Sequence, residues 1–266
     1  MQLKSERKAI LATNFYNFET LSGILKAASL LKMPVILQLS ESSINYMGLA
    51  IANAMGRAAL VEYSVEGWLH LDHGSSLDII HGCLDAGFNS VMIDASEKSL
   101  NENILITQQV VKMAEAYNAN VEAELGFVAK LGQEQTAKHF TQPEDAIRFT
   151  ANTGVNALAI AIGSSHGFYK QEPKLDIDLL AIINSSIPTP LVLHGCSGIP
   201  DAMLQKAIQN GICKINLATE IKNAFMSSLQ ERLKNNEEID LRVVFPDAIQ
   251  VVTELIEKKM KTIAQA

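Results

Sequence analysis

Cysteine is scarce in this chain: Cys83, Cys196 and Cys213 are the only three among 266 residues, and no two form a CxxC pair. The first residues, MQLKSERKAILATNF, contain no apolar leader. An odd cysteine count without such a leader argues against a disulfide framework and leads us to expect reduced thiols in a cytoplasmic protein. Cys83 and Cys213 read as small buried apolar residues. Long apolar runs are missing as well. Those present are strand-sized, which excludes a membrane-spanning helix and speaks against a membrane partner. Basic clusters are also absent, with 22 Lys and Arg against 29 Asp and Glu and a net charge of −7. That balance disfavours nucleic acid, which needs clustered cations to displace counterions. An anionic ligand would have to rely on a local positive field from helix N-termini, a metal ion or a few placed cations. There is no low-complexity segment, no composition break between domains, and no GxGxxG after the first apolar run. The last absence weakens a dinucleotide-binding open sheet.

What the chain does have is a regular alternation. Eight short runs rich in Val, Ile and Leu recur: KAILATNF, PVILQLS, WLHLDHG, SVMIDAS, NVEAELG, ALAIAIGSSHG, PLVLHGCSG and CKINLATE. Most lack polar alternation, as expected of strands buried on both faces. Between them lie amphipathic helical segments. TLSGILKAASLLK is one; SLDIIHGCLDAG begins after a serine and ends at Gly87; PEDAIRFTANTG has proline early and glycine last. The tail DAIQVVTELIEKKMKTIAQA reads as a further amphipathic helix, either closing the structure or meeting another subunit. Eight strands alternating with helices predict an α/β fold, a single-domain (β/α)8 TIM barrel over residues 1–266 with a C-terminal closing helix. A doubly wound sheet is the second choice.

The strand ends carry the chemistry. In order they present Asn14 and Asn17, Gln38 and Ser40, Asp72 and His73, Asp94, Glu122 and Glu124, His166 with Gly167, His194 with Gly195, and Asn216 with Thr219. Any one of these could be a helix cap or a turn residue. Polar groups at all the ends, on the barrel face where active sites are built, point to a site. His73, His166 and His194 could converge on one cation. Three protein ligands leave a coordination position open, as in catalytic zinc sites. His70 shares a strand face with Asp72 and suits a supporting or packing role. His81, inside a helix, and His139, in a polar loop, read as structural or surface residues.

Two of the histidines are followed directly by glycine, which lets backbone approach a ligand closely. In HGCSGIPDAML, Gly195, Ser197 and Gly198 precede a helix expected to start near Pro200. NLATE is a second such turn. Backbone amides and a hydroxyl at a helix N-terminus suit an anion, and phosphate held after strands seven and eight recurs in barrels. Ordinary turns would explain either loop taken singly.

These segments, from NFYNFET through HLDHG, SVMIDAS, VEAELG, AIGSSHGFYK and LVLHGCSG to KINLATE, resemble the class II, metal-dependent fructose-bisphosphate and tagatose-bisphosphate aldolases, in the family's order over most of the chain. The resemblance implies that His73, His166 and His194 hold a catalytic Zn²⁺ and that Asp72 donates a proton to the aldehyde oxygen. It implies that Gly167, Gly195, Ser197 and the run Asn216, Leu217, Ala218 and Thr219 bind dihydroxyacetone phosphate. The strand-end residues Asn14 and Ser40 are assigned to substrate as well. Asp94 and Glu124 would sit beside the metal, either as an alternate ligand set, leaving room for a second cation, or as groups that support the first. NLATE is closer to the tagatose-type branch. The family also implies a phosphorylated sugar as ligand and a homodimer or homotetramer.

The sequence departs from the family pattern in several places. ELGFVAKLGQEQ lacks the glycine pair of a mobile loop that supplies a catalytic glutamate. A gapless count puts Gly132 at that position, and Glu134 takes it if the loop is two residues longer. Cys196 replaces a glycine in the phosphate turn. The helix usually preceding the first strand looks missing or shortened. Arg242, in DLRVVF, is the counterpart considered for an arginine that reaches a second phosphate in a neighbouring subunit.

The leading expectation is therefore a zinc aldolase cleaving a ketose 1,6-bisphosphate. A non-catalytic zinc and sugar-phosphate binder, or a metal-dependent hydrolase on the same barrel, are the alternatives. A Schiff-base aldolase is disfavoured, because ALAIAIG has no lysine and Lys214 begins its strand, at the end away from the site.

Overall fold

The computed structural model describes residues 2–128, 140–169, 172–234 and 236–266. The apolar runs form strands β1 Ile10–Asn14, β2 Val35–Ser40, β3 Gly67–Gly74, β4 Ser90–Ile93, β5 Asn120–Leu125, β6 Ala157–Ile160, β7 Leu191–Leu193 and β8 Ile212–Leu217. They close in chain order, and every neighbouring pair is parallel, including β1 with β8. Closure rules out the open doubly wound arrangement. The fold is a (β/α)8 barrel.

The described helices are α1 Gln2–Glu6, α2 Phe18–Leu31, α3 Glu41–Met47, α4 Leu49–Glu62, α5 Leu77–Asp85, α6 Leu100–Glu115, α7 Pro143–Thr153, α8 Ile177–Ser186, α9 Asp201–Gln209, α10 Thr219–Arg232 and α11 Leu241–Ala264. Their ends follow local chemistry. Ser76 caps α5 by accepting from the Ile79 amide, and Gly154 ends α7 in the left-handed conformation. Asn17 and Thr20 cap α2 reciprocally, so Asn17 is a cap rather than a site residue. The segment before β1 is a five-residue helix, α1. Its Lys4 Nζ donates to the carbonyls of Asn184 and Ile187 near the end of α8.

The tail helix α11 differs from the sequence reading. It begins at Leu241, behind the Asp240 cap, and runs through Pro246, whereas the helix read from sequence started only at Asp247. Val244, Ala248, Val252 and Ile256 are buried as α11 packs on α2 and α10, and this burial outweighs the lost N–H bond. Gly23 of α2 makes the approach possible, since a Cβ there would collide with Val252.

The main core lies between barrel and helices, where Leu37, Leu69, Leu71, Val91, Leu158 and Leu191 are fully buried. Inside the barrel, Met92, Ala159 and Val192 form a small apolar cluster. The barrel interior also holds His70, Glu122 and Lys214, each under 10% exposed. One irregularity shapes the site. On β3, Leu71 pairs with Val91 but Gly74 pairs with Ile93, so β3 carries an extra residue there. His73 has φ 53°, in the left-handed region. Regular alternation would send His73 to the opposite face from Asp72. The bulge turns both toward the barrel mouth.

Candidate active site

His73 comes from the β3 bulge, and His194 directly follows β7. His166 lies on the loop six residues beyond the end of β6 at Ile160, later than the strand end expected from sequence. That loop is held by Tyr169, whose hydroxyl accepts from the Ser165 amide at 2.9 Å and donates to the Gly195 carbonyl at 2.7 Å. Ring centroids lie 4.7 Å apart for His73–His194, 5.0 Å for His73–His166 and 6.0 Å for His166–His194. One ring nitrogen from each lies within 4.8 Å of the other two.

The outward nitrogens are committed. His73 Nδ1 donates to Asp94 Oδ2 and His194 Nε2 donates to Glu122 Oε1, both at 2.8 Å. Asp94 and Glu122 are acceptors, since burial is outweighed by His73 and Ser96 for Asp94, and by Lys214 and the histidines for Glu122, holding both carboxyls well below the usual range. That leaves His73 Nε2 facing His194 Nδ1 at 3.0 Å. Two nitrogens so placed share a cation: a proton held on His73, which donates to His194 Nδ1, or a metal ion that both rings ligate in its place. A tetrahedral zinc with Zn–N of 2.0–2.1 Å would set its ligand nitrogens about 3.3 Å apart, close to the distance found. A carboxylate behind a ligating histidine is the usual way to fix the tautomer.

Charges agree with this reading. Burial lowers His166 to about 3, and burial together with the His73 charge lowers His194 despite Glu122, so both rings are neutral at pH 7. Burial opposes a charge on His73, but Asp72, Asp94 and Glu124 outweigh it and raise that ring to about 10. The acidic surround therefore favours positive charge at the spot where the three rings meet.

Asp72 accepts from Asn14 Nδ2 at 3.0 Å and from Gln38 Nε2 at 3.3 Å. Burial is overcome by His73, His194, Lys214 and the Asn14 bond, and its carboxyl is lowered to about 2. Glu124 is buried near Asp94, which pushes it up to about 8, and its Oε2 has no hydrogen-bond partner. His73, Asp94 and Glu124 form a second group able to hold a metal ion.

Beneath the histidines lies a network that sequence reading largely missed. Glu122 also accepts from Lys214 Nζ at 2.7 Å, and Lys214 lies 3.3 Å from His70 Nε2. His70 Nδ1 bonds Ser90 Oγ at 2.7 Å. Lys214 thus lies toward the end of the barrel away from the cleft, beside Ile10 at the start of β1, with its Nζ turned into the interior to pair with Glu122 beneath the site. His70 supports the network without joining the trio. His81 is on the surface, 3.3 Å from Asp85.

Asn14, Asp72, the three histidines, Gly167, Gly195, Ser197, Asn216, Ala218 and Thr219 line one cleft. Asn216 Nδ2 reaches His194 at 3.0 Å, while its buried Oδ1 has no partner. The remaining assigned residues lie elsewhere. Ser40 caps α3, accepting from the Ser43 amide. Leu217 is buried, its carbonyl accepting from Thr13 Oγ1. Arg242 is 89% exposed on the first turn of α11, bonded to Asp240. Glu134, Gly132 and His139 lie outside the described residues.

The sequence and the fold have counterparts among known proteins. The family described as class II fructose-bisphosphate aldolase matches residues 2–266. The D-tagatose-1,6-bisphosphate aldolase subunit GatY of Klebsiella oxytoca is 37% identical over 242 residues, covering 89% of this chain and 85% of that protein. The YdjI aldolase of Escherichia coli K12 superposes with a TM-score of 0.88 at 33% identity, over 98% of this chain and 93% of that one. A putative fructose-1,6-bisphosphate aldolase from Coccidioides immitis gives 0.89 at 28% identity, over 99% and 93%. On the whole-chain match and these relatives, the chain belongs to the class II fructose-bisphosphate aldolase family and is an aldolase, a carbon–carbon lyase.

Proposed function

We propose that this aldolase reversibly cleaves a ketose 1,6-bisphosphate, of the fructose or tagatose type, into dihydroxyacetone phosphate and an aldehyde phosphate, with one Zn²⁺ held by His73, His166 and His194. The observation that carries this reading is the convergence of one ring nitrogen from each of the three histidines within 4.8 Å, with His73 and His194 each braced by a carboxylate behind the ring. When bound, the cation supplies Lewis acidity for the negative charge that develops on the ketose oxygens.

The side chains supply the rest. Asp72 is ionised at neutral pH, the form that takes the C4 hydroxyl proton in cleavage and returns it to the aldehyde oxygen in condensation. The amides of Asn14 and Gln38 aim it. The turns at Gly167, Gly195–Ser197 and Ala218–Thr219 offer amides and a hydroxyl to the phosphate. The unpartnered Oδ1 of Asn216 is free to accept from a substrate hydroxyl.

Asp94 and Glu124, with His73, offer a second cation position. Glu134 is assigned the C3 proton of dihydroxyacetone phosphate during condensation. Arg242, exposed beside the apolar Ile239 and Leu241, is assigned to a second phosphate in a neighbouring subunit of a homodimer or homotetramer. The three free, buried cysteines suit the cytoplasm, and among the described residues no helix is long and apolar enough to cross a membrane.

Replacing His73, His166 or His194 by Ala, one at a time, is expected to strip zinc measured by atomic emission, because two imidazoles leave a weak site. Stoichiometric zinc in all three variants would place the metal elsewhere.

A further inference from the structure

Among the described residues no lysine or arginine lines the cleft that holds the phosphate turns, and Asp72 is in its wall. The chain as a whole is also anionic. A phosphate entering there depends on the turn amides and on charge placed behind them. Glu220, on the first turn of α10, stands between the two turns. Its amide donates to Ser197 Oγ at 3.2 Å, and its carboxylate accepts the Gly198 amide. One side chain therefore ties the β7 turn to the β8 turn. Taken alone, it also sets a negative charge next to the phosphate position.

Lys259 lies directly behind it. This residue sits on α11, remote in sequence from either turn, and its side chain is 9% exposed. Its Nζ is 3.3 Å from Glu220 Oε1 and 3.9 Å from Asp201 Oδ1, at the start of α9. A lysine this buried is rare without a specific partner. The charge reaches the cleft wall: the Cys196 thiol, which lines the cleft, is acted on by Lys259 and Glu220 in opposite senses.

We infer that Lys259 is a positioning residue for the substrate phosphate: it fixes Glu220 on the Gly198 amide, so that both turns keep their shape, and cancels the carboxylate charge beside the anion. The inference rests on the aldolase reading above for the phosphate's identity. It acts on anion affinity, through Glu220, and touches no reacting atom.

The test uses zinc-loaded protein and two readouts: KM against kcat for the ketose bisphosphate, and calorimetric binding of inorganic phosphate. Lys259→Met is expected to raise KM and weaken phosphate binding about tenfold, with the effect on KM rather than kcat and zinc content intact. Lys259→Arg should recover most of the affinity. The double variant Lys259→Met with Glu220→Gln, which removes the stranded charge but keeps an acceptor for Gly198, should recover it too. Parental phosphate affinity in Lys259→Met overturns the inference. So does a loss that the double variant fails to restore, which marks a packing role. If Lys259→Met does not fold, Lys259→Arg and Glu220→Gln carry the test, and Glu220→Gln binding phosphate worse than the parent overturns the charge argument. If the parent binds phosphate but cleaves neither sugar, the proposed substrate falls while the Lys259 comparison still stands on calorimetry. A parent that binds no phosphate overturns the inference.

Discussion

Asp72 and His73 are adjacent in the chain but do different work. Asp72 lies in a cage of amides from Asn14, Gln38 and Asn216, which orient it without taking its charge. Asp72→Asn is expected to keep that packing and the bound zinc while cleavage falls by about 10²–10⁴-fold, the usual worth of a positioned proton-transfer group. Steady-state cleavage measured beside metal content checks it, and near-parental turnover would assign the proton to another acid. The residues on the cleft were largely legible in sequence, because histidine and aspartate at the ends of apolar runs have no core role to compete with. Glu122 and Lys214 were harder. Glu122 was read only as one of the polar groups at a strand end and Lys214 as the start of its strand, whereas closure of the barrel buries them as a pair braced against His194.

At the scale of elements, eight apolar runs with polar ends suffice to lay out the strands, since parallel strands buried on both faces leave little alternation to misread. The bulge in β3 was not legible: nothing in HLDHGSS announces that His73 takes a positive φ and joins Asp72 on the mouth. Nor was the length of the β6–α8 excursion, where Tyr169 rather than strand pairing holds His166 in place. The two turns meet at Gly195, which has φ +67° and sits so close to Ser165 that a Cβ would collide with its carbonyl. Gly195→Ala should push the His166 loop away from the β7 end. The expected result is a destabilisation of about 1–3 kcal/mol in thermal unfolding together with zinc loss. Parental melting and metal content would mean that the loop is not held through this contact.

For the whole molecule, the barrel gathers onto one face side chains from all along the chain, from Asn14 to Thr219, and the C-terminal helix adds Lys259 from behind. The apolar shell between sheet and helices makes this face rigid, so a few hydrogen bonds suffice to aim each group. The sequence had also left open a metal hydrolase and a non-catalytic binder; the whole-chain family match favours the lyase. The measurement that bears most directly on the account is dihydroxyacetone phosphate release from fructose and tagatose 1,6-bisphosphates by zinc-replete protein, with bound metal quantified in the same sample. The account predicts about one zinc per chain, release from at least one of the two sugars, loss of release on chelation and its return on adding zinc, with no inhibition by borohydride. Release from neither sugar by protein carrying full zinc, or release that survives complete removal of the metal, would contradict it.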